Sequence, residues 1–338
     1  MRAIAYTQAG PIDRADALID REMPDPAATG RDLLVEVRAV SVNPVDTKIR
    51  SSVEKTGPGW RVQGFDAAGV VRAAGPDATL FQPGDAVFYA GSLIRPGTDA
   101  ELHLVDERIV GAKPGTLDWG QAAALPLTAV TAWEALFDRL DVARPVPGVP
   151  RIVLVIGGAG GVGSIAVQLA RQLTDLTIIA TASRPETQAW VLEMGAHHVI
   201  DHSRPIAPQV AALGIGAPSF IFSTTQTGQH LADCAEAIAP QGRFALIDDP
   251  ASFDLTLFKR KSVSVHWEYM FTRSTFGTAD MAAQGRILGE VAALVDAGKL
   301  RSTLNNRLSP INAANLIRAH AMIESGTTRG KIILEGWT

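Results

Sequence analysis

The residues with the clearest chemical potential form a glycine-rich segment in the middle of the chain. Gly158-Ala159-Gly160-Gly161-Val162-Gly163 fits the pattern G-x-G-x-x-G, and it follows the apolar run RIVLVIGG and opens the helical run GSIAVQLARQL. In that context Gly158 permits a tight turn, Gly160 lets the backbone approach a pyrophosphate, and Gly163 allows close helix–strand packing. Free N–H groups at the helix start can hold the anion. The segment therefore predicts a dinucleotide-binding loop.

The end of the next predicted strand, LTIIATA, indicates which dinucleotide this loop binds. An Asp or Glu there would bond the ribose hydroxyls of NAD, but the sequence reads Thr181-Ala182-Ser183-Arg184-Pro185-Glu186. Arg184 can form a charge-assisted pair with a 2′-phosphate, and Ser183 can donate a further hydrogen bond. The alternative is that Arg184 is solvated and Glu186 binds the ribose hydroxyls. Because Glu186 follows Pro185 and lies inside the predicted helix, NADP(H) is the favoured cofactor.

The elements that must position these residues change in type along the chain. Up to about residue 122 the sequence predicts strands and turns, such as DLLVEVRAVSV and GVVRAAG, with a short helix beginning at Pro44. The segment AAALPLTAVTAWEAL is a helical apolar run. From Arg151 onwards six apolar strands alternate with helices, which predicts an α/β fold with a parallel, doubly wound sheet.

We therefore predict two domains in this chain of 338 residues. A Rossmann domain is expected at 123–267, and a β-rich domain is expected to be discontinuous, at 1–122 and 268–338. The reason for the discontinuity is the last predicted strand, GKIILE, which should return to the first domain.

Composition argues against several classes of protein. The net charge of −4 and the lack of a basic stripe give no reason to expect nucleic acid as a partner. No apolar run reaches the roughly 20 residues of a membrane span, and the first residues lack the apolar core of a secretory signal. The single cysteine, Cys234, forms no internal disulfide. We expect a soluble protein in a reducing cytoplasm.

Several segments together resemble the medium-chain dehydrogenase/reductase superfamily, in particular its zinc-independent, quinone-oxidoreductase-like branch. They span nearly the whole chain: SVNPVDTKIR, GFDAAGVV, GDAVFYAG, AALPLTAVTAWEAL, GGAGGVG, MGAHHVID and GKIILE. The stretch HWEYMFTRS further resembles a subgroup often described as zinc-type alcohol dehydrogenase-like. The resemblance implies a GroES-like catalytic domain joined to the Rossmann domain, and an enzyme that acts on a small electrophile.

The same resemblance implies positions for the cofactor. It places Ser183 and Arg184 at the 2′-phosphate and Thr128 near the nicotinamide end. The other expected contacts lie on the glycine loop and after the later strands: Gly160, Gly161, Val162, His202, Ser223, Thr224, Leu246, Ile247, Met270 and Phe271. An equal alternative for His202 is a surface histidine that contacts no ligand. For Leu246 and Met270 the equal alternative is packing in the hydrophobic core.

Zinc-dependent members of the superfamily bind their catalytic metal through a Cys, a His-Glu pair and a second Cys. The matching stretches here are Val42-Asn43-Pro44-Val45-Asp46, Gly64-Phe65-Asp66 and Leu125-Pro126-Leu127-Thr128, which contain neither thiol nor imidazole. Two carboxylates alone, Asp46 and Asp66, would make a poor zinc site. We therefore expect no metal.

Without zinc, another group must stabilise the charge that develops when a simple carbonyl is reduced. A Tyr-x-x-x-Lys pair is absent as well. Quinones and α,β-unsaturated carbonyl compounds suit such a site, because their conjugation spreads the charge and the enzyme mainly positions the reactants. The alternative is a non-catalytic NADPH-binding sensor or partner-binding protein.

The candidate polar groups for the substrate are the Asn43 amide, the Thr128 hydroxyl and Asp46 as an orienting partner. An equal alternative for Asn43 is a role in the turn before Pro44, and the alternative for Asp46 is that it only stabilises the start of its helix.

The predicted sixth strand of the doubly wound sheet, VSVHW, lies at the sheet edge. It contains no proline or charge that would block pairing with another strand. We therefore expect a homodimer joined through the cofactor-domain sheet edge, with a covered edge and a monomer as the alternative.

Overall fold

The computed structural model describes residues 1–52 and 59–337, and its contacts divide the chain into two compact units. Unit 1 comprises Met1–Val130 and Phe271–Thr338, and unit 2 comprises Thr131–Met270. The boundaries predicted from the sequence, 122/123 and 267/268, lie eight and three residues before these divisions. No helix in the described ranges is long and apolar enough to cross a bilayer.

The elements are numbered here in chain order. The strands are β1 (Arg2–Tyr6), β2 (Ile19–Glu22), β3 (Asp32–Val42), β4 (Arg61–Val62), β5 (Asp66–Ala74), β6 (Ala86–Ala90), β7 (Leu102–Asp106), β8 (Val110–Ala112), β9 (Ile152–Ile156), β10 (Thr177–Thr181), β11 (His198–Ile200), β12 (Phe220–Ser223), β13 (Arg243–Leu246), β14 (Ser264–Trp267), β15 (Leu304–Leu308) and β16 (Lys331–Glu335). The helices are α1 (Pro44–Ser52), α2 (Trp119–Ala123), α3 (Pro126–Trp133), α4 (Gly161–Leu173), α5 (Pro185–Glu193), α6 (Ile206–Ala212), α7 (Thr227–Ala237), α8 (Thr256–Lys259), α9 (Thr272–Phe276), α10 (Ala283–Asp296) and α11 (Ala313–Glu324).

Unit 2 is built on a six-stranded parallel sheet with the strand order β11-β10-β9-β12-β13-β14. This is the doubly wound order of a Rossmann sheet, so the predicted α/β fold is confirmed. All five residues of the central strand β9, IVLVI, are buried. Helices cover both faces of a parallel sheet, which is why its central strand is apolar throughout rather than alternating.

Unit 1 contains a seven-stranded sheet, β15-β16-β3-β5-β6-β8 with β7 also paired to β3, and a three-stranded sheet, β2-β1-β4. The strand β16 pairs antiparallel with β3, with Ile332 opposite Val42. The closing strand therefore returns to the first part of the chain, as the sequence predicts. It brings residues near 331 beside the end of β3, where α1 begins.

The apolar run AAALPLTAVTAWEAL differs from the single helical run expected. Helix α2 ends at Ala123, α3 begins at Pro126, and a π-helix, Glu134–Arg139, follows α3. Proline has no N–H to donate and a fixed φ, so Pro126 is suited to begin a new helix rather than continue the previous one. The division between the two units falls inside α3.

Candidate functional site

The glycine loop of unit 2 connects the end of β9 to the start of α4. We expected the tight turn at Gly158. The residue with a left-handed backbone is instead Gly157, with φ +76°, so the turn lies one residue earlier. Gly158 is needed for a different reason, because a Cβ there would lie 2.8 Å from the Cβ of Ala180. The strand β10 thus packs directly against the loop backbone.

Two further glycines shape this loop as the pattern predicts. A Cβ on Gly163 would lie 2.2 Å from the carbonyl oxygen of Gly157, which is far closer than atoms can approach. Gly160 is the N-cap of the thirteen-residue helix α4, and a Cβ there would have the Gly157 oxygen at 3.5 Å as its contact. The backbone around Gly160 is therefore open to a ligand, and the first N–H groups of α4 follow it.

The Thr181 hydroxyl, at the end of β10, links this loop to a histidine. It accepts a hydrogen bond of 2.9 Å from the N–H of Gly157 and lies 3.0 Å from Nδ1 of His202. The ring of His202 lies 6.0 Å from that of His230. Burial lowers the pKa of both histidines, so both rings are neutral at neutral pH. His230 was not among the residues expected from sequence.

The two residues expected at a 2′-phosphate follow β10. Ser183 and Arg184 are half-buried, and Arg184 is the N-cap of α5. The Nε of Arg184 lies 3.2 Å from Oε1 of Glu186, in the first turn of that helix. The guanidinium is therefore accessible and already has a carboxylate beside it.

The residues expected after the later strands have mixed surroundings. The Ser223 hydroxyl is buried and lies 2.7 Å from that of Thr227, and the Thr224 hydroxyl donates to the carbonyl of Ile156 at 2.8 Å. Leu246 is part of the hydrophobic core of unit 2. The core-packing alternative therefore describes the surroundings of Leu246, while Ile247 is half-buried.

Two residues expected to contact the cofactor lie where the chain passes from unit 2 back into unit 1, and both are buried. Met270, the last residue of unit 2, is 3% exposed. Phe271, the first of the second part of unit 1, has its ring 4.9 Å from that of Phe65.

A buried polar cluster lies in unit 1 where α1, β5, α3 and β16 begin. The Asp66 carboxylate accepts hydrogen bonds from Asn43 Nδ2 at 2.8 Å, Lys331 Nζ at 3.1 Å and the N–H of Leu127 at 2.7 Å. Lys331 also donates to the carbonyl of Val42 at 3.1 Å and to Asn43 Oδ1. Three donors on one carboxylate and three acceptors on one ammonium make this a satisfied buried ion pair.

Two more buried carboxyl groups adjoin that ion pair. Asp46 Oδ2 accepts a hydrogen bond from the N–H of Asn43 at 2.7 Å. Burial raises the pKa of Asp46 to about 7, although Asn43 and Lys331 act in the opposite direction. Burial raises the pKa of Asp99 well above its usual range, and the nearby Asp46 raises it further. Among the described residues, Lys331 donates its hydrogen bonds to Asp66, Asn43 and Val42 and not to these two groups.

The structure places the three expected substrate-side residues in this same region of unit 1. Asn43 and Asp46 belong to the cluster, and the buried Thr128 hydroxyl donates to the carbonyl of Leu125 at 3.0 Å, in the first turn of α3. The Asp66 carboxylate holds that turn through Leu127. Lys331 and Asp99 were not among the residues expected from the sequence. The signal for Lys331 was a lysine at the start of an otherwise apolar strand, GKIILE.

Two family models match the chain. One, described as an alcohol dehydrogenase GroES-like domain, matches residues 29–124. The other, described as a zinc-binding dehydrogenase, matches residues 194–334.

Individual relatives match nearly the whole chain. A zinc-type alcohol dehydrogenase-like protein of Staphylococcus aureus is 37% identical over 336 residues, covering 99% of both chains. A crystal structure of a putative zinc-dependent alcohol dehydrogenase from Rhizobium etli is 66% identical, with a TM-score of 0.98, and covers 100% of this chain and 98% of that one. A quinone oxidoreductase from Pseudomonas syringae is 25% identical, with a TM-score of 0.84 and 99% coverage of both.

The names of several relatives imply zinc, and the residues of this chain can be compared with that expectation. At the positions that resemble the catalytic ligands of zinc-dependent members stand Asn43, Phe65, Asp66 and Leu127. The Asn43 amide and the Asp66 carboxylate already bind Lys331, and neither supplies the thiolate or imidazole that zinc prefers. No group of three or more His, Cys, Asp or Glu side chains in residues 1–52 and 59–337 is arranged to hold a metal ion. The donor set does not fit catalytic zinc.

Proposed function

The chain belongs to the medium-chain dehydrogenase/reductase superfamily of oxidoreductases, and from this premise we propose that it is an NADPH-dependent reductase of quinones or α,β-unsaturated carbonyl compounds that works without zinc. The observation that carries the proposal is the pair Ser183 and Arg184 after β10, next to an open glycine loop. These side chains provide a hydroxyl and a guanidinium where NAD-binding Rossmann domains carry a carboxylate.

Each part of the cofactor has candidate ligands in unit 2. The pyrophosphate would lie along Gly160, Gly161 and Val162. The N–H groups of Gly161 and Val162 would bind it, since they begin helix α4, whereas the N–H of Gly160 donates to the carbonyl of Gly157 at 3.1 Å. Arg184 would bind the 2′-phosphate with Ser183 as a further donor. Neutral His202, held by Thr181, would contact the adenosine side. Thr224 and Ile247 would contact the nicotinamide ribose.

The chemistry of the substrate follows from the groups that the chain lacks. NADPH would supply the hydride. Neither a suitable zinc donor set nor a Tyr-x-x-x-Lys pair is present to stabilise an alkoxide, and two of the three tyrosines, Tyr6 and Tyr89, are buried in the core. A conjugated acceptor spreads the incoming charge over its own atoms and so needs less help from the protein. Thr128 and the cluster that holds its helix turn would orient that acceptor.

A panel assay with the purified chain tests this proposal. NADPH oxidation is followed with a 1,4-quinone, a cyclic enone, a saturated ketone and a saturated aldehyde, and NADP⁺ reduction with a primary alcohol. We expect turnover with the quinone or the enone and none with the saturated compounds. Chelator treatment and elemental analysis accompany the assay, with unchanged rates and substoichiometric zinc expected. Efficient alcohol oxidation, or one zinc per chain needed for activity, would overturn the proposal.

NADPH binding without turnover of any acceptor would favour the alternative, a non-catalytic NADPH-binding protein. Isothermal titration of NADPH against the same preparation separates these outcomes, because binding is measured directly. Thr128→Val, which removes the hydroxyl and keeps the size, should lower turnover more than it lowers NADPH affinity.

We also propose a homodimer paired through β14. The N–H groups of Ser264 and Glu268 donate to the carbonyls of Gly242 and Leu246 on the β13 side, so the N–H of Val265, out of phase with them, points to the other edge. Trp267, the last residue of β14, and Tyr269, two residues later, are about half exposed, at 52% and 50%. An open edge flanked by apolar side chains suits pairing with a two-fold mate.

We propose the same partners and compartment that the sequence predicts. The substrate is a small electrophile, and neither nucleic acid nor a membrane is proposed as a partner, given the net charge of −4. A reducing cytoplasm is the proposed location. The single cysteine, Cys234, is buried, and burial raises its pKa to about 12, so it is an unreactive core residue.

A further inference from the structure

Three neighbouring strands of unit 2 end at the same edge of its sheet. β10 lies between β9 and β11, and the three strands run parallel. The glycine loop follows β9, Ser183 and Arg184 follow β10, and His202 follows β11. Ligands of doubly wound sheets bind outside the carboxyl ends of the strands. His202, which is half-buried, therefore lies at the edge where a dinucleotide would bind.

Thr181, the last residue of β10, holds the glycine loop through two of its atoms. Its hydroxyl oxygen accepts a hydrogen bond from the N–H of Gly157 at 2.9 Å, and its carbonyl oxygen accepts one from the N–H of Gly158 at 3.1 Å. The same hydroxyl lies 3.0 Å from Nδ1 of His202. Thr181 is 0% exposed, so water does not compete for these contacts. One buried side chain thus touches both the turn of the loop and the histidine.

The number of protons available decides the direction of the hydrogen bond between Thr181 and His202. A hydroxyl has one proton to donate, and a neutral imidazole carries a proton on only one of its two ring nitrogens. The Thr181 oxygen already accepts from Gly157, and among the described residues the acceptor within reach of its proton is Nδ1 of His202. With a proton on Nδ1 instead, the buried hydroxyl proton would have no acceptor, which is costly.

The carbonyl oxygen of Thr181 is the competing partner for the histidine ring. It acts on the ring in the direction that favours a proton there, although burial lowers the pKa of His202 more strongly and keeps the ring neutral. That carbonyl already accepts from the N–H of Gly158. The arrangement with the proton on Nε2 gives a partner to the N–H of Gly157, to the Thr181 hydroxyl and to Nδ1 at once, so it is the favoured one.

We propose that Thr181 is a positioning residue of the cofactor site: its hydroxyl holds the turn of the glycine loop and donates its proton to Nδ1 of His202, so that the histidine presents its Nε2–H as a hydrogen-bond donor to the adenosine half of NADPH. The proposal rests on the proposed function. Thr181 does not touch the cofactor and acts through His202 and Gly157. The chemistry that Nε2–H recognises is an acceptor atom, such as a ribose oxygen or a ring nitrogen of adenine.

Nitrogen NMR of the full chain without cofactor, with isotope-labelled histidines, tests the hydrogen bond itself. A neutral ring gives well separated signals for its protonated and its unprotonated nitrogen, and His202→Gln identifies the signals of His202 by their loss. At neutral pH we expect a protonated Nε2 and an unprotonated Nδ1 in the wild type. A proton on Nδ1 of the wild type would overturn the proposal.

Variants of Thr181 link that signal to the hydroxyl. In Thr181→Val the Nδ1 signal should move towards that of a nitrogen without a hydrogen bond, and Thr181→Ser, which keeps a hydroxyl, should restore it. The matched control is Thr177→Val, because Thr177 is the half-buried first residue of the same strand. Circular dichroism checks that each variant is folded. An Nδ1 signal that is the same in Thr181→Val as in the wild type would also overturn the proposal.

Calorimetric titration with adenosine 2′,5′-bisphosphate, which is the adenosine half of NADPH, tests the consequence for binding. Thr181→Val should lower the affinity roughly two- to tenfold, the equivalent of about one hydrogen bond. Thr181→Ser should recover most of this loss, and Thr177→Val should bind as the wild type does. Equal losses in Thr181→Val and Thr177→Val would indicate a general effect on the strand and overturn the positioning role.

A double-mutant cycle tests whether Thr181 acts through His202. In a His202→Phe background, Thr181→Val should cost less affinity for the bisphosphate than it costs in the wild type, because the shared contact is already gone. The same fold loss in both backgrounds would overturn the action through the histidine. If the wild type binds neither the bisphosphate nor NADPH, the proposed function fails, and the NMR result still decides whether Thr181 donates to His202.

Discussion

Arg184 and Glu186 form an ion pair, with Nε of the arginine 3.2 Å from Oε1 of the glutamate. The residue best suited to bind a 2′-phosphate is therefore engaged by a carboxylate two positions later in the chain. The two side chains are partly exposed, at 38% and 56%, so water competes for the pair and the guanidinium can exchange partners. This relationship makes the selectivity for the cofactor testable with two single substitutions.

Arg184→Ala should weaken NADPH binding and leave NADH binding nearly unchanged. The lost charge-assisted contact is worth about 1.5–3 kcal/mol, which corresponds to roughly ten- to a hundred-fold in Kd. Isothermal titration with both cofactors measures the effect, and Arg260→Ala, at an exposed arginine of the same unit, is the control. An equal loss of affinity for both cofactors, or no loss for either, would show that Arg184 does not bind the 2′-phosphate.

Glu186→Gln should strengthen NADPH binding, because it frees Arg184 from its carboxylate partner and removes a negative charge near the phosphate. Exposed ion pairs are worth at most about 1 kcal/mol, so the gain should not exceed roughly fivefold. The exposed Glu193, at the end of the same helix, provides the matched control Glu193→Gln. A weaker affinity for NADH in Glu186→Gln would indicate that Glu186 also bonds the ribose.

Lys331→Met should strongly destabilise unit 1. It removes the cation from the buried Asp66 and leaves Asn43 Oδ1 and the Val42 carbonyl without their donor. Breaking a buried ion pair from one side costs about 3–5 kcal/mol. Chemical denaturation of the variant measures this, and Lys299→Met, at an exposed lysine, should change the free energy of unfolding little. A wild-type midpoint for Lys331→Met would mean that the pair contributes no net stability.

Asp46 should make a contribution to the free energy of unfolding that decreases as the pH rises from about 4 to about 7. Its pKa is about 7 in the folded chain and 3.8 as its ordinary value, so in that window the folded state binds more protons at Asp46 than the unfolded state does. The buried His103 and His320, whose pKa burial lowers to about 4 and about 3, act in the opposite direction, so the contribution of Asp46 is measured as a difference between the wild type and a variant. The slope is about 1.4 kcal/mol per pH unit for one proton.

Asp46→Asn should remove this contribution, since asparagine cannot ionise, so the stability of the variant relative to the wild type should increase as the pH rises from about 4 to about 7. Asp77, an exposed aspartate of the same unit, provides the control Asp77→Asn. Denaturation at several pH values, in the wild type, Asp46→Asn and Asp77→Asn, gives the comparison. An identical slope in all three proteins would assign the pH dependence to other groups.

Val265→Pro should disrupt the proposed dimer more than it disrupts folding. The N–H that it removes points away from β13, so the hydrogen bonds within the sheet of one chain remain. His266→Pro, one residue on, removes a donor on the β13 side and should instead impair folding. Light scattering reports the mass, and a value near 35.8 kDa for the unmodified chain at micromolar concentration would rule the dimer out.

The alternation of strands and helices in unit 2 could be predicted from the sequence because each signal is local. A β-branched run such as that of β9 and a glycine pattern such as Gly158–Gly163 need no distant partner to be recognised. The position of the tight turn was wrong by one residue, since either glycine of Gly157-Gly158 can adopt a positive φ and the sequence pattern does not distinguish them. The helix break before Pro126 was not predicted. Proline favours the first position of a helix, but the apolar residues on both sides of Pro126 resemble one continuous helical run.

The polar cluster of unit 1 was only partly predictable. Asn43 and Asp46 were candidates because polar residues in a short segment are visible as such. Lys331 and Asp66 are 265 residues apart, and nothing local to either indicates the other. Asp99 follows a turn-like stretch where an aspartate is unremarkable, and its burial depends on the close fit against Gly64. Long-range burial of charge has no periodicity, so it is found only in three dimensions.

The return of β16 to β3 imposes an order on synthesis. A ribosome completes the contiguous unit 2 before it adds Lys331. Unit 2 can therefore fold on the emerging chain while unit 1 still lacks β16. During that interval Asp66 has no counter-ion, and a carboxylate cannot be buried alone. The first 130 residues must then remain loosely folded, or leave Asp66 hydrated, until the last strand arrives. A nascent chain stalled before residue 331 should therefore be protease-sensitive in its first part and resistant in its middle.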